Sequence, residues 1–126
     1  MNEHERGFLA FLAEPGRRRM EALLELGDKR RAKVRFLLDH AVLLDPRYSQ
    51  HLTGPVPVEA MLRQRGAPSL CYVLAADQDL DGREMPLNEA LEAVVGRGHG
   101  AFLSCIPGRL GFYEYEDLNR RYLLAR

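Results

Sequence analysis

The chain has 126 residues, of which 46% are hydrophobic and 29% are charged, and its formal net charge is zero. That length suits one domain, so we expect residues 1–126 to share a single core. No segment approaches the roughly 18 consecutive apolar residues that a membrane span needs, so we expect no membrane association. Residues 1–66 carry twelve basic and nine acidic side chains, and residues 67–126 carry six and nine. This asymmetry is too mild to indicate nucleic-acid binding by itself.

The sequence also indicates a compartment. An apolar run at residues 8–13 follows acidic residues and is too short and wrongly charged for a signal peptide. Cys71 and Cys105 are too few to form a disulfide framework, and we expect both to be free thiols in a reducing cytoplasm. Sixteen arginines against two lysines suggest a GC-rich bacterial gene.

Helical spacing of apolar residues dominates the first half. Phe8, Phe11 and Leu12 predict a helix that the pair Pro15-Gly16 interrupts, and a second helix should run from about Met20 to Gly27. Asp28 is the predicted N-cap of the strongest helix, which ends at Asp45-Pro46. The apolar stripe of that helix consists of Val34, Leu37, Leu38, Ala41 and Val42. A short helix is predicted over residues 57–65.

The second half alternates strands with one helix. Residues 69–76 are apolar on both alternating faces, which is typical of a strand covered on both sides. A helix over 87–95 and a hairpin of strands at 101–106 and 110–115 follow, and we favour a strand over a helix for the tail, 117–126. The prediction is an α+β fold. A mainly helical half, 1–66, packs on a β-α-β-β half, 67–126, whose small mixed sheet has three to four strands. Its first two strands should be parallel, joined by a right-handed crossover.

The stretch "DQDLDG" resembles the start of a calcium-binding loop. Asp77, Asp79, Asp81 and Gly82 occupy loop positions 1, 3, 5 and 6. Position 12, which needs a bidentate glutamate, is Asn88, and a strand precedes the loop where the motif requires a helix. We therefore interpret the segment as an acidic turn and expect no metal site.

Two further patterns are weak indications of a functional site: a glycine-rich segment, and the histidines and cysteines of the chain. The segment "GRGHG", residues 96–100, ends a helix, whereas a phosphate-binding loop begins one, so a flexible turn is expected there. The four histidines, His4, His40, His51 and His99, and the two cysteines lack metal-ligand spacing. His99 and Cys105 should lie toward opposite ends of one strand, too far apart for a nucleophile–base pair. We predict no catalytic residue and no cofactor.

The favoured function is binding to a protein partner, as in an immunity, adaptor or regulatory protein. Parallel strands would bring Arg109, at the end of the second strand, within reach of the acidic turn after the first. Tyr113 and Tyr115 are expected to be exposed on an edge strand, and tyrosine and arginine are frequent at interface hot spots. The predicted partner-binding residues are Asp77, Asp79, Asp81, Arg109, Tyr113 and Tyr115.

Two alternatives remain open. Basic runs in residues 17–35 could contact phosphates, although no base-reading motif accompanies them. Their candidate residues are Arg17, Arg18, Arg19, Lys29, Arg30, Arg31 and Lys33. The second alternative is a small enzyme that uses the acidic residues of 77–81.

Overall fold

The fold is built on one six-stranded sheet in which every neighbouring pair of strands is antiparallel. The computed structural model describes residues 1–40, 42–117 and 120–126. The helices are α1 (Glu3–Leu9), α2 (Gly16–Glu25), α3 (Arg31–His40), α4 (Val58–Gln64) and α5 (Leu87–Val94), with a 3-10 turn at Gly27–Arg30. The strands are β1 (Ser49–Leu52), β2 (Leu70–Ala75), β3 (Glu84–Pro86), β4 (Ala101–Ile106), β5 (Leu110–Glu114) and β6 (Arg121–Ala125). Their order across the sheet is β1-β6-β5-β4-β2-β3.

The predicted three- to four-stranded mixed sheet is therefore wrong. Two short edge strands were missed, and one of them, β1, lies in the half that was expected to be mainly helical. β1 pairs with β6 at the far end of the chain, which joins the two halves in one sheet. The tail does form a strand, as predicted, although residues 118–119 lie outside the described residues.

The other missed strand, β3, explains why β2 and β4 are antiparallel. After β2 the chain turns back and pairs with it, so that Leu70 lies opposite Pro86. Helix α5 then reverses the direction again, and Ala101 at the start of β4 lies opposite Ala75 at the end of β2. Because β3 adds a reversal to the predicted crossover, the two strands that were expected to be parallel run in opposite directions.

The sheet is covered on both faces, which confirms the prediction for β2. Tyr72 and Leu74 belong to a core shared with α1, α2 and α3. Cys71, Val73 and Ala75 belong to a second core with α4 and α5. The ring of Phe8 from α1 stacks on Phe102 of β4, with 4.4 Å between ring centroids. The alternation of strand side chains thus separates two cores, and the architecture has three layers.

Helix α3 has the predicted core face. Val34, Leu37 and Leu38 are buried, and Ala41 of the predicted stripe lies outside the described residues. Asp28 does not cap this helix, because it lies inside the 3-10 turn that precedes it. None of the helices in the described part of the chain is long and apolar enough to cross a bilayer.

We expect Leu37→Ala to lower the free energy of unfolding by about 2–5 kcal/mol, since it removes buried area and leaves a cavity. Arg30→Ala, at an exposed position, should cost about 0.5 kcal/mol or less. Urea unfolding of both variants measures the difference. Equal losses in the two variants would mean that the faces of this region are assigned incorrectly.

Candidate functional site

One half-buried guanidinium joins three parts of the fold. Arg31, at the start of α3, donates from Nη1 to Glu5 of α1 at 2.8 Å. Its Nε and Nη2 donate to the two carboxylate oxygens of Asp81, at 2.6 and 3.1 Å. The Tyr72 hydroxyl of β2 donates to Glu5 and accepts a bond from Arg31 at 3.3 Å. We call Glu5, Arg31, Tyr72 and Asp81 the arginine cluster.

The environment of the arginine cluster shifts its ionisation. Burial by itself would raise the pKa of Glu5, but the bonds from Tyr72 and Arg31 outweigh it and hold that pKa below its ordinary value. Burial and the bond to Glu5 raise the pKa of Tyr72. The two carboxylates compensate the burial of Arg31 and keep its pKa above the ordinary value. Each charged group of the cluster is therefore hydrogen-bonded, and the guanidinium of Arg35 lies 3.8 Å from Asp81.

The predicted acidic turn, residues 77–82, forms a turn in the structure. Asp77 accepts a hydrogen bond from the Asp79 backbone N–H at 2.9 Å. Asp81 also accepts from the Ala75 N–H at 3.1 Å, and Gly82 N–H donates to Val73 at 2.8 Å. Asp81 is thus committed to the arginine cluster, with only 5% of its side chain exposed. Asp77 and Asp79 remain exposed.

The antiparallel topology brings the acidic turn next to the glycine-rich loop, residues 96–100. The two segments lie at the same end of the sheet, because β4 begins where β2 stops. Between them lies a cavity of about 430 Å³, which we call the loop cleft. Its polar side chains are those of Asp77, Asp79, Arg83, Arg97 and His99, and the apolar side chains of Ala75, Leu80, Val94 and Ala101 complete most of its lining.

Carboxylates on β5 and α3 hold both ends of the glycine-rich loop. Glu114, fully buried on β5, accepts from the Gly96 N–H through both oxygens, at 3.2 and 3.1 Å, and from Arg121 at 2.7 Å. Asp39 of α3 accepts from the Gly100 N–H. A Cβ at Gly100 would stand 2.0 Å from the Leu38 carbonyl oxygen, so the backbone there packs too closely on α3 for any side chain.

The basic run divides into paired and exposed side chains. Arg17 pairs with Glu14 at 2.7 Å, and Arg31 is paired within the arginine cluster. The other five predicted nucleic-acid contacts, Arg18, Arg19, Lys29, Arg30 and Lys33, are exposed.

Three of these exposed cations surround an exposed aromatic ring. Lys29, Arg30 and Lys33 line a shallow depression with Phe36, whose exposed fraction is 53%. We call these four residues the cationic patch. The Lys33 ammonium lies 5.0 Å from the centre of the Phe36 ring, and the centre of the His40 ring lies 4.6 Å from it. Sequence reasoning found the cations but placed Phe36 in no site.

The remaining predicted partner residues are not brought together. Tyr113 and Tyr115 are not on an edge strand, because β5 lies between β4 and β6. Tyr113 is fully buried and donates to the Leu38 carbonyl, and half-buried Tyr115 donates to the Val42 carbonyl. Arg109 is exposed in the turn between β4 and β5, at the opposite end of the sheet from the acidic turn. The site predicted from parallel strands is therefore wrong in its geometry.

Potential metal ligands meet in one place among the described residues. Oxygen or nitrogen atoms of Asp39, His40 and Glu116 lie within 4.8 Å of one another. Asp39 already accepts from Gly100, and His40 lies 3.4 Å from Glu116, so these groups bind each other or the backbone.

Cys71 and Cys105 are free and buried, and burial raises the pKa of each thiol to about 12, which makes them poor nucleophiles at neutral pH.

Comparison of the chain with protein-family models, with curated proteins and with solved structures found no match. Its function must therefore be inferred from the chemistry of the arginine cluster, the cationic patch and the loop cleft.

We expect Glu5→Gln to lower the free energy of unfolding by about 1–3 kcal/mol at neutral pH, because a charged partner of Arg31 is lost. Since the folded pKa of Glu5 is lowered, its charged form contributes stability above the ordinary carboxyl pKa of 4.5, and this contribution is lost as the pH falls through the folded value. The stability gap between the wild type and the variant should therefore narrow in acid.

Urea unfolding at a series of pH values measures this gap. Glu21→Gln, at an exposed position of α2, serves as the control and should leave stability nearly unchanged. A gap for Glu5→Gln that stays constant from neutral to acidic pH would contradict the assignment.

Proposed function

We propose that this protein is a cytoplasmic binding module of the immunity, adaptor or regulatory type, and that it binds an acidic surface of a protein partner through the cationic patch. The observation that carries the proposal is the exposed ring of Phe36 among three exposed cations. Aromatic residues, phenylalanine among them, and arginine are enriched at protein interfaces.

Charge complementarity favours an acidic partner. Among the described residues, no ion pair neutralises Lys29, Arg30 or Lys33 within the chain. The neighbouring Arg31 differs, because two carboxylates already occupy its guanidinium. Complementary charge on a partner would speed association and set the orientation of the complex.

The same patch fits a protein better than a nucleic acid. A single-stranded nucleic acid stacks its bases on an open aromatic face, whereas the Lys33 ammonium already lies over the ring of Phe36. The chain as a whole is neutral, while sequence-independent nucleic-acid binding usually needs a strongly basic domain.

Free, buried thiols at Cys71 and Cys105 are consistent with the reducing compartment in the proposal.

The test is affinity capture from a lysate of the source cell, followed by calorimetry with the purified partner. Phe36→Ala should weaken binding by about 2 kcal/mol, as expected for a hot-spot ring. Lys33→Glu should also weaken binding, most strongly at low salt, because the new carboxylate would face the acidic surface of the partner. Leu43→Ala and Arg109→Glu alter an exposed apolar residue and an exposed cation outside the patch, so both should bind normally.

Two results would reject the proposal. One is a partner whose affinity is the same for the wild type and for both patch variants. The other is capture that depends on a nuclease-sensitive component, with purified single-stranded oligonucleotides binding the patch in place of a protein.

A further inference from the structure

The loop cleft contains charges of both signs that do not neutralise each other. Asp77 and Asp79 contribute carboxylates, and Arg83 and Arg97 contribute guanidinium groups. Among the described residues, no ion pair includes any of these four side chains. Their polar contacts within the chain are local: Asp77 accepts from its own turn at 2.9 Å, and Arg97 reaches the Glu92 carbonyl at 3.4 Å.

Opposite charges around a shared cavity favour a ligand that carries both signs. A ligand with only a negative group would meet the two carboxylates of the acidic turn, and a ligand with only a positive group would meet the guanidiniums. A ligand with separated positive and negative groups satisfies both sets, and electrostatic complementarity of this kind gives specificity. The cavity of about 430 Å³ is at the small end of the range for ligand sites.

The walls of the cleft are held in place before any ligand arrives. The acidic turn is tied to α3 through the bonds of Asp81 to Arg31. The glycine-rich loop is tied to β5 through Glu114 and to α3 through Asp39. Preorganisation of this kind reduces the entropy that binding would otherwise cost. The anchoring side chains are at least half-buried, while Asp79, Arg97 and His99 stay exposed at the cleft.

We infer that the loop cleft binds a small zwitterion of the α-amino acid or short-peptide type. The ligand ammonium is held by Asp77 and Asp79, and its carboxylate is held by Arg83 and Arg97, with His99 beside them. Apolar side chains such as Leu80 and Val94 contact the rest of the molecule. This site shares no residue with the cationic patch, and binding of a small ligand is a separate activity from the proposed binding of a protein partner.

Isothermal titration calorimetry of the full chain against the proteinogenic amino acids and a set of dipeptides tests the inference. At least one zwitterion should bind with submillimolar Kd. Its N-acetylated form and its C-terminal amide should each bind at least about tenfold more weakly, because each loses one charge. Dipeptides that bind in place of free amino acids would identify peptides as the source of the zwitterion.

Variants locate the site. Asp79→Asn and Arg97→Gln should each weaken binding at least about tenfold. Glu89→Gln and Arg109→Gln change exposed charges outside the cleft, so both should leave the affinity unchanged. Thermal melts of every variant verify that the fold is intact. No binding by any zwitterion of the panel overturns the inference, and so does binding that survives both cleft variants.

Discussion

The interaction on which the rest of the structure depends is the bonding of one guanidinium to two buried carboxylates. Removing Arg31 from water is costly, and Glu5 and Asp81 compensate that cost with charge-assisted hydrogen bonds at 2.8 and 2.6 Å. Glu5 belongs to α1, Arg31 to α3, and Asp81 to the turn after β2. The cluster thus connects the helical layer to the turn that sends the chain back into β3. The reversal through β3 makes β4 antiparallel to β2 and places the glycine-rich loop beside the acidic turn.

Sequence patterns predicted the elements that repeat a clear period and failed for those that do not. Helix α3 and strand β2 are long enough for the spacing of their apolar residues to indicate which sides are buried. The edge strands β1 and β3 have the sequences "SQHL" and "EMP", which show no apolar alternation because they are mostly exposed. Missing β3 made the sheet look parallel, since the direction of β4 depends on the number of reversals before it. The tail was predicted as a strand, but its pairing with β5 was not. β5 therefore looked like an edge strand, which is why Tyr113 was expected to be exposed.

Locating the candidate sites also required contacts between residues that are far apart in the sequence. In the run from Lys29 to Lys33, sequence spacing could not separate Arg31 from its exposed neighbours, because its partners Glu5 and Asp81 are 26 and 50 residues away. The acidic turn and the glycine-rich loop were both visible as motifs, but only the antiparallel register shows that they share a cavity. Among the described residues, Arg31 is paired inside the fold, whereas the charged side chains of the cationic patch and the loop cleft are exposed and form no ion pair.

The central claim is that Arg31 holds the acidic turn in place, and hydrogen exchange of Arg31→Met tests it most directly. The reporting amides are Ala75, which donates to the Asp81 side chain, and Gly82, which donates to Val73. In Arg31→Met both amides should exchange faster than in the wild type, while Phe112 in the central strand β5 keeps its protection. Arg30→Met, at an exposed position, should match the wild type. Unchanged protection at Ala75 and Gly82 in Arg31→Met, or equal loss in both variants, would contradict the account.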